Sequence, residues 1–489
     1  MKKFLAICIL AVLLAALTAG CGSTATPAAE DIESLPAVQM IELNGSSAKY
    51  SGKGVVINKN VITINAEGDY HLTGKLDDGQ VVINTGDVAG VVYLYLENAE
   101  LNCLTAPAIY VLQAEKLHIV LPEGTSNKIV SGTEADMEAH DENANGGAVF
   151  AEDDVDFEGE GSLEIYGYIN NGVTCKDDLK VEGGNITITA ANNGFRGSES
   201  VTVEAGSLTI NCGNDGIKST SSNKDGKGFV QIDGGTVNIN SVGDGISAET
   251  ELVITGGTLT VNTSGDSLSE SCKAIKANNT ITISGGTLDL ASDDNAISSN
   301  EAVLISGAEI KAVSASRKGI HADELIRIGG GTLDISSVED GIQTKGDVDI
   351  SGGTITVVSG EDCIKAGDKN DTTGSTAGTV TVSGGDLRLS AAGDPIEAKQ
   401  ALTVTGGTVF GMGSPKNPKA PGGESSQSYL AVTFRGRAGD LLAVTGEGVE
   451  SSLEAAYDYS YVLYTSSGLN AGGSYRISTA DSSADAVAK

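Results

Sequence analysis

Five aspartates recur at one position. Asp215, Asp244, Asp340, Asp362 and Asp394 each stand two residues before an isoleucine that follows a tight turn, a position held elsewhere by Asn171, Asn193, Lys273, Asn295 and Lys318. Carboxylates stacked on neighbouring turns repel unless a cation lies between them. Calcium accepts several oxygens at about 2.3 to 2.6 Å, so these aspartates, with Glu339 and Glu361 alongside, are expected to hold at least one calcium ion. The competing reading is a solvated acidic edge that keeps the protein soluble. The asparagines read as structural, each amide bonding its neighbours. A second acidic file (Asp177, Asp178, Glu199, Glu251, Glu301, Asp323 and Glu324) reads as a solvated edge.

One residue after the same isoleucine the chain places Thr174, Arg196, Lys218, Ser247, Lys276, Ser298, His321, Gln343, Lys365 and Glu397. Arg196, Lys218, Lys276, His321 and Lys365 are basic or can become so, in a chain with 31 Lys and Arg against 65 Asp and Glu. They are expected to bind an elongated polyanion such as a uronate chain, with divalent cations bridging protein and sugar carboxylates and so reconciling an acidic ligand with a formal charge of -34. Ion pairs with the nearby aspartates are the alternative. The acid excess argues against nucleic acid and anionic lipid headgroups as partners, and a monomer is expected. With no Trp and 4% aromatics, a flat stacking platform is hard to assemble. No Ser/His/Asp order, metal-binding His pair or phosphate loop is visible.

The elements that position these residues repeat. Val173, Phe195, Ile217, Ile246, Ile275, Ile297, Ile320, Ile342, Ile364 and Ile396 form a column at intervals of 22, 22, 29, 29, 22, 23, 22, 22 and 32. The long intervals are insertions into a period of 22. Those near 219 to 228, 264 to 273 and 367 to 378 flank the basic position and are expected to wall a groove over it. Each unit holds three short period-two segments, with Gly doublets such as Gly256-Gly257 and Gly329-Gly330 between the second and third; this is strand-and-turn grammar. Three strands per 22 residues without helices predict an all-β, three-sided parallel β-helix, each strand bonded to its equivalent one coil away and each coil rising about 4.8 Å. A propeller needs about 40 residues per blade. The position after the basic file is small throughout (Cys175, Gly197, Ser219, Ala248, Ala277), as a crowded inner corner requires.

The expected order is a signal peptide over 1 to 20, a tether over 21 to 44, the β-helix with an N-terminal cap over 45 to 412, a Pro/Gly/Ser loop over 413 to 428, and a C-terminal β cap with tail over 429 to 489. Two lysines, an apolar run and small residues make the leader. Leu17-Thr18-Ala19-Gly20-Cys21 resembles a lipoprotein box, so Cys21 is expected to be acylated, leaving the protein outside the cell and held to the membrane by lipid alone; ordinary secretion is the alternative. Cys103, Cys175, Cys212, Cys272 and Cys363 follow no metal-ligand spacing and read as small buried residues.

The segments TCKDDLKVEGGNITITAANNGFRGSESVTVEAGSLTINCGNDGIKS (174 to 219) and VGDGISAETELVITGGTLTV (242 to 261) resemble bacterial carbohydrate-binding β-helix proteins of the cell surface. The resemblance extends to VITINAEGDYHLTGKLDDGQVVIN and APAIYVLQAEKLHIVLPEGTSN and covers most of residues 45 to 410. It implies a right-handed β-helix akin to pectate lyases, bound calcium, and binding of polygalacturonate or another plant-wall polysaccharide without catalysis. Asp215, Asp244, Asp340 and Asp362 match the GDGI turns; Lys273, Asn295 and Lys318 depart from them. Two other functions stay open: a lyase in which calcium acidifies the proton beside the uronate carboxylate and Arg196 or Lys218 acts as base, and a surface adhesin or spacer.

Overall fold

The computed structural model describes residues 38–86, 90–139, 146–222, 226–265, 271–368, 378–416 and 418–489. The expected leader, Cys21 and the expected tether up to residue 37 lie outside the described residues, as do parts of all three insertions expected to wall a groove.

The described chain is a right-handed, three-sided parallel β-helix, the hand that parallel crossovers take. Each column residue pairs with the next across a parallel bridge: Val173 with Phe195, Phe195 with Ile217, Ile217 with Ile246, Ile246 with Ile275, and onward through Ile297, Ile320, Ile342 and Ile364 to Ile396. These short strands, of three to five residues, form one face, a 15-stranded sheet among the described residues. In Ile217–Ser219 and Ile275–Ala277 the first and third residues are buried and the middle one faces out, so inward isoleucines stack on themselves and outward residues form a straight file. The second face runs through strands such as Leu252–Ile254 and Thr280–Ile283, the third through Thr258–Thr263 and Thr287–Ser292.

The corner between second and third faces explains the doublets. Gly257 adopts φ +85°, and a Cβ there would lie 2.9 Å from the Gly234 carbonyl of the preceding coil. In the triplet Gly329-Gly330-Gly331 the left-handed residue is Gly331, not a member of the doublet singled out from sequence. One coil breaks the rule: Ala308 stands at this corner with φ +104°.

Both ends are closed. At the start, Gln39–Gly45 pairs in parallel with Gly68–Leu76 and antiparallel with Ala48–Lys49. The expected boundary at 45 therefore moves to 39, because Ile41 and Leu43 alternate inward and join the core. At the other end, Tyr459–Thr465 runs antiparallel to both Thr408–Gly413 and Tyr429–Gly436, ending the parallel stack. The Pro/Gly/Ser stretch is more than a linker: the Gly422 and Ser426 N–H groups donate to the carbonyls of Leu402 and Val404, covering the last second-face strand. A four-stranded antiparallel sheet from Leu441–Gly446, Val449–Glu454, Ser474–Ser478 and Ser483–Val487 completes the cap over its own core of Phe410, Leu430, Val444 and Ile477. Cys103, Cys175, Cys272 and Cys363 are buried free thiols, and Cys212 is half-buried.

Candidate functional site

The recurring Asn/Asp position is a ladder of backbone acceptors. The N–H of Asn193 donates to Asn171 Oδ1 (2.9 Å), that of Asp215 to Asn193 Oδ1 (3.1 Å), that of Asp244 to Asp215 Oδ1 (2.8 Å) and that of Lys273 to Asp244 Oδ1 (2.8 Å). The pattern resumes with Lys318 N–H to Asn295 Oδ1, Asp362 N–H to Asp340 Oδ1 and Asp394 N–H to Asp362 Oδ1. Asn and Asp alternate freely because either supplies the carbonyl-type oxygen that a buried turn N–H requires. Asp215, Asp244, Asp340 and Asp362 thus each use one oxygen on the turn of the next coil and turn the other toward the face.

Lysines from the outward file take up most of the remaining oxygens. Lys218 Nζ donates to Asp215 Oδ2 at 2.6 Å, Lys276 Nζ lies 3.6 Å from Asp244 Oδ2, and Lys365 Nζ sits 3.1 Å from Asp340 Oδ2 and 3.2 Å from Asp362 Oδ2. Between these stacked acids the cation is an ammonium group. The predicted acidic and basic residues are therefore brought together, and the ion-pair alternative describes much of their geometry. His321 lies 3.2 Å from Asp323 and within hydrogen-bond reach of Gln343 (2.6 Å). Arg196 occupies the file beside Thr174 and Lys218, half-buried, and burial lowers the pKa of its guanidinium.

Charge changes along the face. The middle coils gather Lys273, Lys276, Lys318, His321 and Lys345, each facing a carboxylate (Asp294, Asp244, Glu339 and, for the last two, Asp323), while the last coils bring Asp362, Asp394 and Glu397 together with Lys365 among them. Burial raises the pKa of Asp215 and of Asp340 despite the lysine beside each. Burial pushes Asp362 upward too, but a hydrogen bond with Glu397, the Asp394 N–H and Lys365 outweigh it and hold Asp362 below the ordinary carboxylate range. Asp340 and Asp362 in turn hold Lys365 above the ordinary lysine range against the effect of its burial. Burial, then Lys318, lowers His321.

Three clefts open over this face. One of about 280 Å³ is lined by Asp215, Lys218, Asp244, Ser271 and Lys276. A second of about 400 Å³ is lined by Lys318, His321, Gln343, Lys345 and Lys365. The third, of about 480 Å³, is lined by Asp362, Lys365, Asp394, Glu397, Ser414 and Lys416. In it the carboxylates of Asp362, Asp394 and Glu397 approach within 4.8 Å of one another. Three carboxylates fit calcium, which prefers oxygen donors and completes its six to eight ligands with water or ligand oxygens. Glu397, Lys318 and Lys345 are not among the residues expected from sequence to bind sugar or metal. Glu397 stood in the outward file but has the wrong charge for a basic-file reading, and Lys345 sits beyond the period-two strand.

A stack of parallel coils carrying a straight polar face belongs to the solenoids that present extended ligand surfaces. The chain is a member of the carbohydrate-binding domain-containing protein family, whose model matches residues 58–319 and 312–486. A carbohydrate-binding domain-containing protein of Acetivibrio thermocellus is 29% identical over 137 residues, 28% of this chain. The match spans 48% of that relative's length. A solved structure described as the polysaccharide lyase-like protein from C. thermocellum, in a gadolinium derivative, aligns with a TM-score of 0.44 and 29% identity over 48% of this chain and 94% of that one.

Proposed function

We propose that the short-strand face binds an acidic polysaccharide of the polygalacturonate kind, without cleaving it, and that calcium held by Asp362, Asp394 and Glu397 bridges protein and sugar carboxylates. The observation that supports this most is the alignment of three clefts along one register-locked file, a shape suited to an extended chain. Uronate carboxylates would lie over Lys276, Lys318 and Lys345, exchanging with the acids these ammonium groups now face, Asp244, Glu339 and Asp323, with His321 beside them as a hydrogen-bonding group. Calcium at the acidic end would balance the negative charge that Asp362, Asp394 and Glu397 place together. Of the aspartates expected to bind metal, Asp215, Asp244 and Asp340 are better explained as ladder acceptors paired to lysine.

Binding without cleavage is favoured over lyase chemistry by position. Arg196 and Lys218 stand seven and six coils from Lys365, on the order of 30 Å along the stack, whereas a lyase needs base and metal on one sugar. Lys218 also donates to Asp215, and a general base needs a free lone pair. We further propose that acylation at Cys21 holds the protein on the outer face of the membrane; mass spectrometry of the N-terminal peptide from the native host should find a lipid on that thiol.

Affinity electrophoresis in gels with pectate, xylan or no glycan, with and without chelator, tests the reading. Retardation by pectate that chelator abolishes, and that Glu397→Gln weakens, is the expected result. Equal mobility in every gel would instead leave a surface spacer, and sustained release of unsaturated uronate product would make the protein an enzyme.

A further inference from the structure

A second cluster lies on a different face, on the outward side of the N-terminal coils. The strands Lys116–Leu121 and Asp154–Gly159 run in parallel, with Lys116 opposite Asp154, His118 opposite Asp156 and Val120 opposite Glu158. Alternation places Lys116 and His118 on one side of their strand and Asp154, Asp156 and Glu158 on the same side of the next. The backbone register alone therefore assembles one imidazole and three carboxylates around a single lysine.

The ligand atoms of His118, Asp156 and Glu158 lie within 4.8 Å of one another. His118 Nδ1 faces both acids, 3.7 Å from Asp156 Oδ2 and hydrogen-bonded to Glu158 Oε1. Tyr93, from the preceding coil, stacks on the imidazole at 4.3 Å and 10°, which fixes the ring plane. Lys116 Nζ holds Asp156 Oδ2 at 3.0 Å, the orienting contact from outside that metal-binding carboxylates commonly receive.

The independent pointer to a ligand is Asp156 itself. Its side chain is only 5% exposed, and Oδ1 has no hydrogen-bond partner among the described residues. The next cation in register, Lys180, is drawn instead to Glu182 and Glu204. A buried carboxylate oxygen left without a donor costs free energy that a bound cation would recover. With His118 neutral, Asp154, Asp156 and Glu158 outnumber Lys116 by two charges, the amount a divalent ion supplies.

We propose that His118, Asp156 and Glu158 form a binding site for a first-row divalent ion of the zinc type, separate from the calcium site and independent of the glycan reading. The imidazole decides the class, since calcium takes oxygen donors whereas zinc accepts histidine nitrogen with carboxylate oxygen. Glu158, 30% exposed at its side chain, has room to swing off Nδ1 as the ion enters, and a fourth position stays open to water. His71 has no equivalent: it stacks on Tyr95 and, among the described residues, pairs with the carboxylate of Glu97 alone.

The test is calorimetric titration of the chelator-stripped full chain with zinc chloride in the presence of excess calcium, with cobalt as a spectroscopic probe. One zinc per chain is expected, with visible cobalt bands of a nitrogen-containing site. His118→Ala should abolish this binding and Glu158→Gln should weaken it by about tenfold or more, while Asp362→Asn leaves it unchanged. Melting curves establish that each variant is folded; if His118→Ala is not, the Glu158→Gln comparison decides. Zinc isotherms of folded His118→Ala or Glu158→Gln that coincide with the wild type's, or the absence of any zinc binding, would overturn the proposal.

Discussion

An aspartate has two oxygens, and in this protein they do different work. Asp215 Oδ1 receives the Asp244 N–H and Oδ2 receives Lys218. Replacing Asp215 by Ala strands a buried N–H and should cost about 1 to 3 kcal/mol, read as a lowered melting temperature. Asp215→Asn, which keeps an acceptor, should cost clearly less, and neither change should alter calcium affinity. His321 supplies a pH signature. Because burial and Lys318 hold it below its usual 6.5, the unfolded chain takes up the proton first. The neutral ring's contribution is complete above pH 6.5 and falls away as pH drops toward the folded-state value. Melting temperatures of the wild type and His321→Gln should therefore diverge below pH 6.5, with the wild type losing more. The sequence displayed the positions of these residues but not this division of labour. Periodicity shows which side chains stack; whether a carboxylate meets a backbone N–H, a lysine or a metal depends on distances of a few tenths of an ångström across coils.

The recurrent strand and its corners were the most legible part, because an inward isoleucine and a left-handed glycine are each demanded by a steric condition that recurs every coil. Ala308 is the exception, and the regular columns around it make it a sharp test. It occupies a corner where neighbouring coils have Gly286 and Gly331 at φ +94° and +95°, while its own φ is +104°. A Cβ is poorly tolerated there, so Ala308→Gly should stabilise the protein by about 1 kcal/mol despite the added freedom of the unfolded chain, seen as a rise in melting temperature. The pairing of Lys116–Leu121 with Asp154–Gly159 was illegible for the converse reason. From His118 to Asp156 the chain advances by 38 residues, through a 3-10 turn at Glu134–Ala139, and no 22-residue ruler brings the two together.

Across the whole molecule, the parallel stack and the presence of caps followed from the repeat, but the manner of capping did not. The C-terminal strands abandon the period, and only the structure reveals that Tyr459–Thr465 reverses direction to cover Thr408–Gly413. Deleting residues 429 to 489 would bare that edge, and an unpaired strand edge recruits other chains. The truncated protein is expected to self-associate, giving a larger mass by light scattering after size exclusion than the full chain.

Because every winding receives its neighbour through the same bonds it offers to the next, a complete 22-residue turn such as Ile275 to Ala296 is a spare part. Copied in tandem, it would seat itself between existing turns and extend the outer rail by a fixed increment, leaving both lids intact. Reach is thus adjustable in whole steps, and unequal recombination within such a gene is a direct way to make the adjustment.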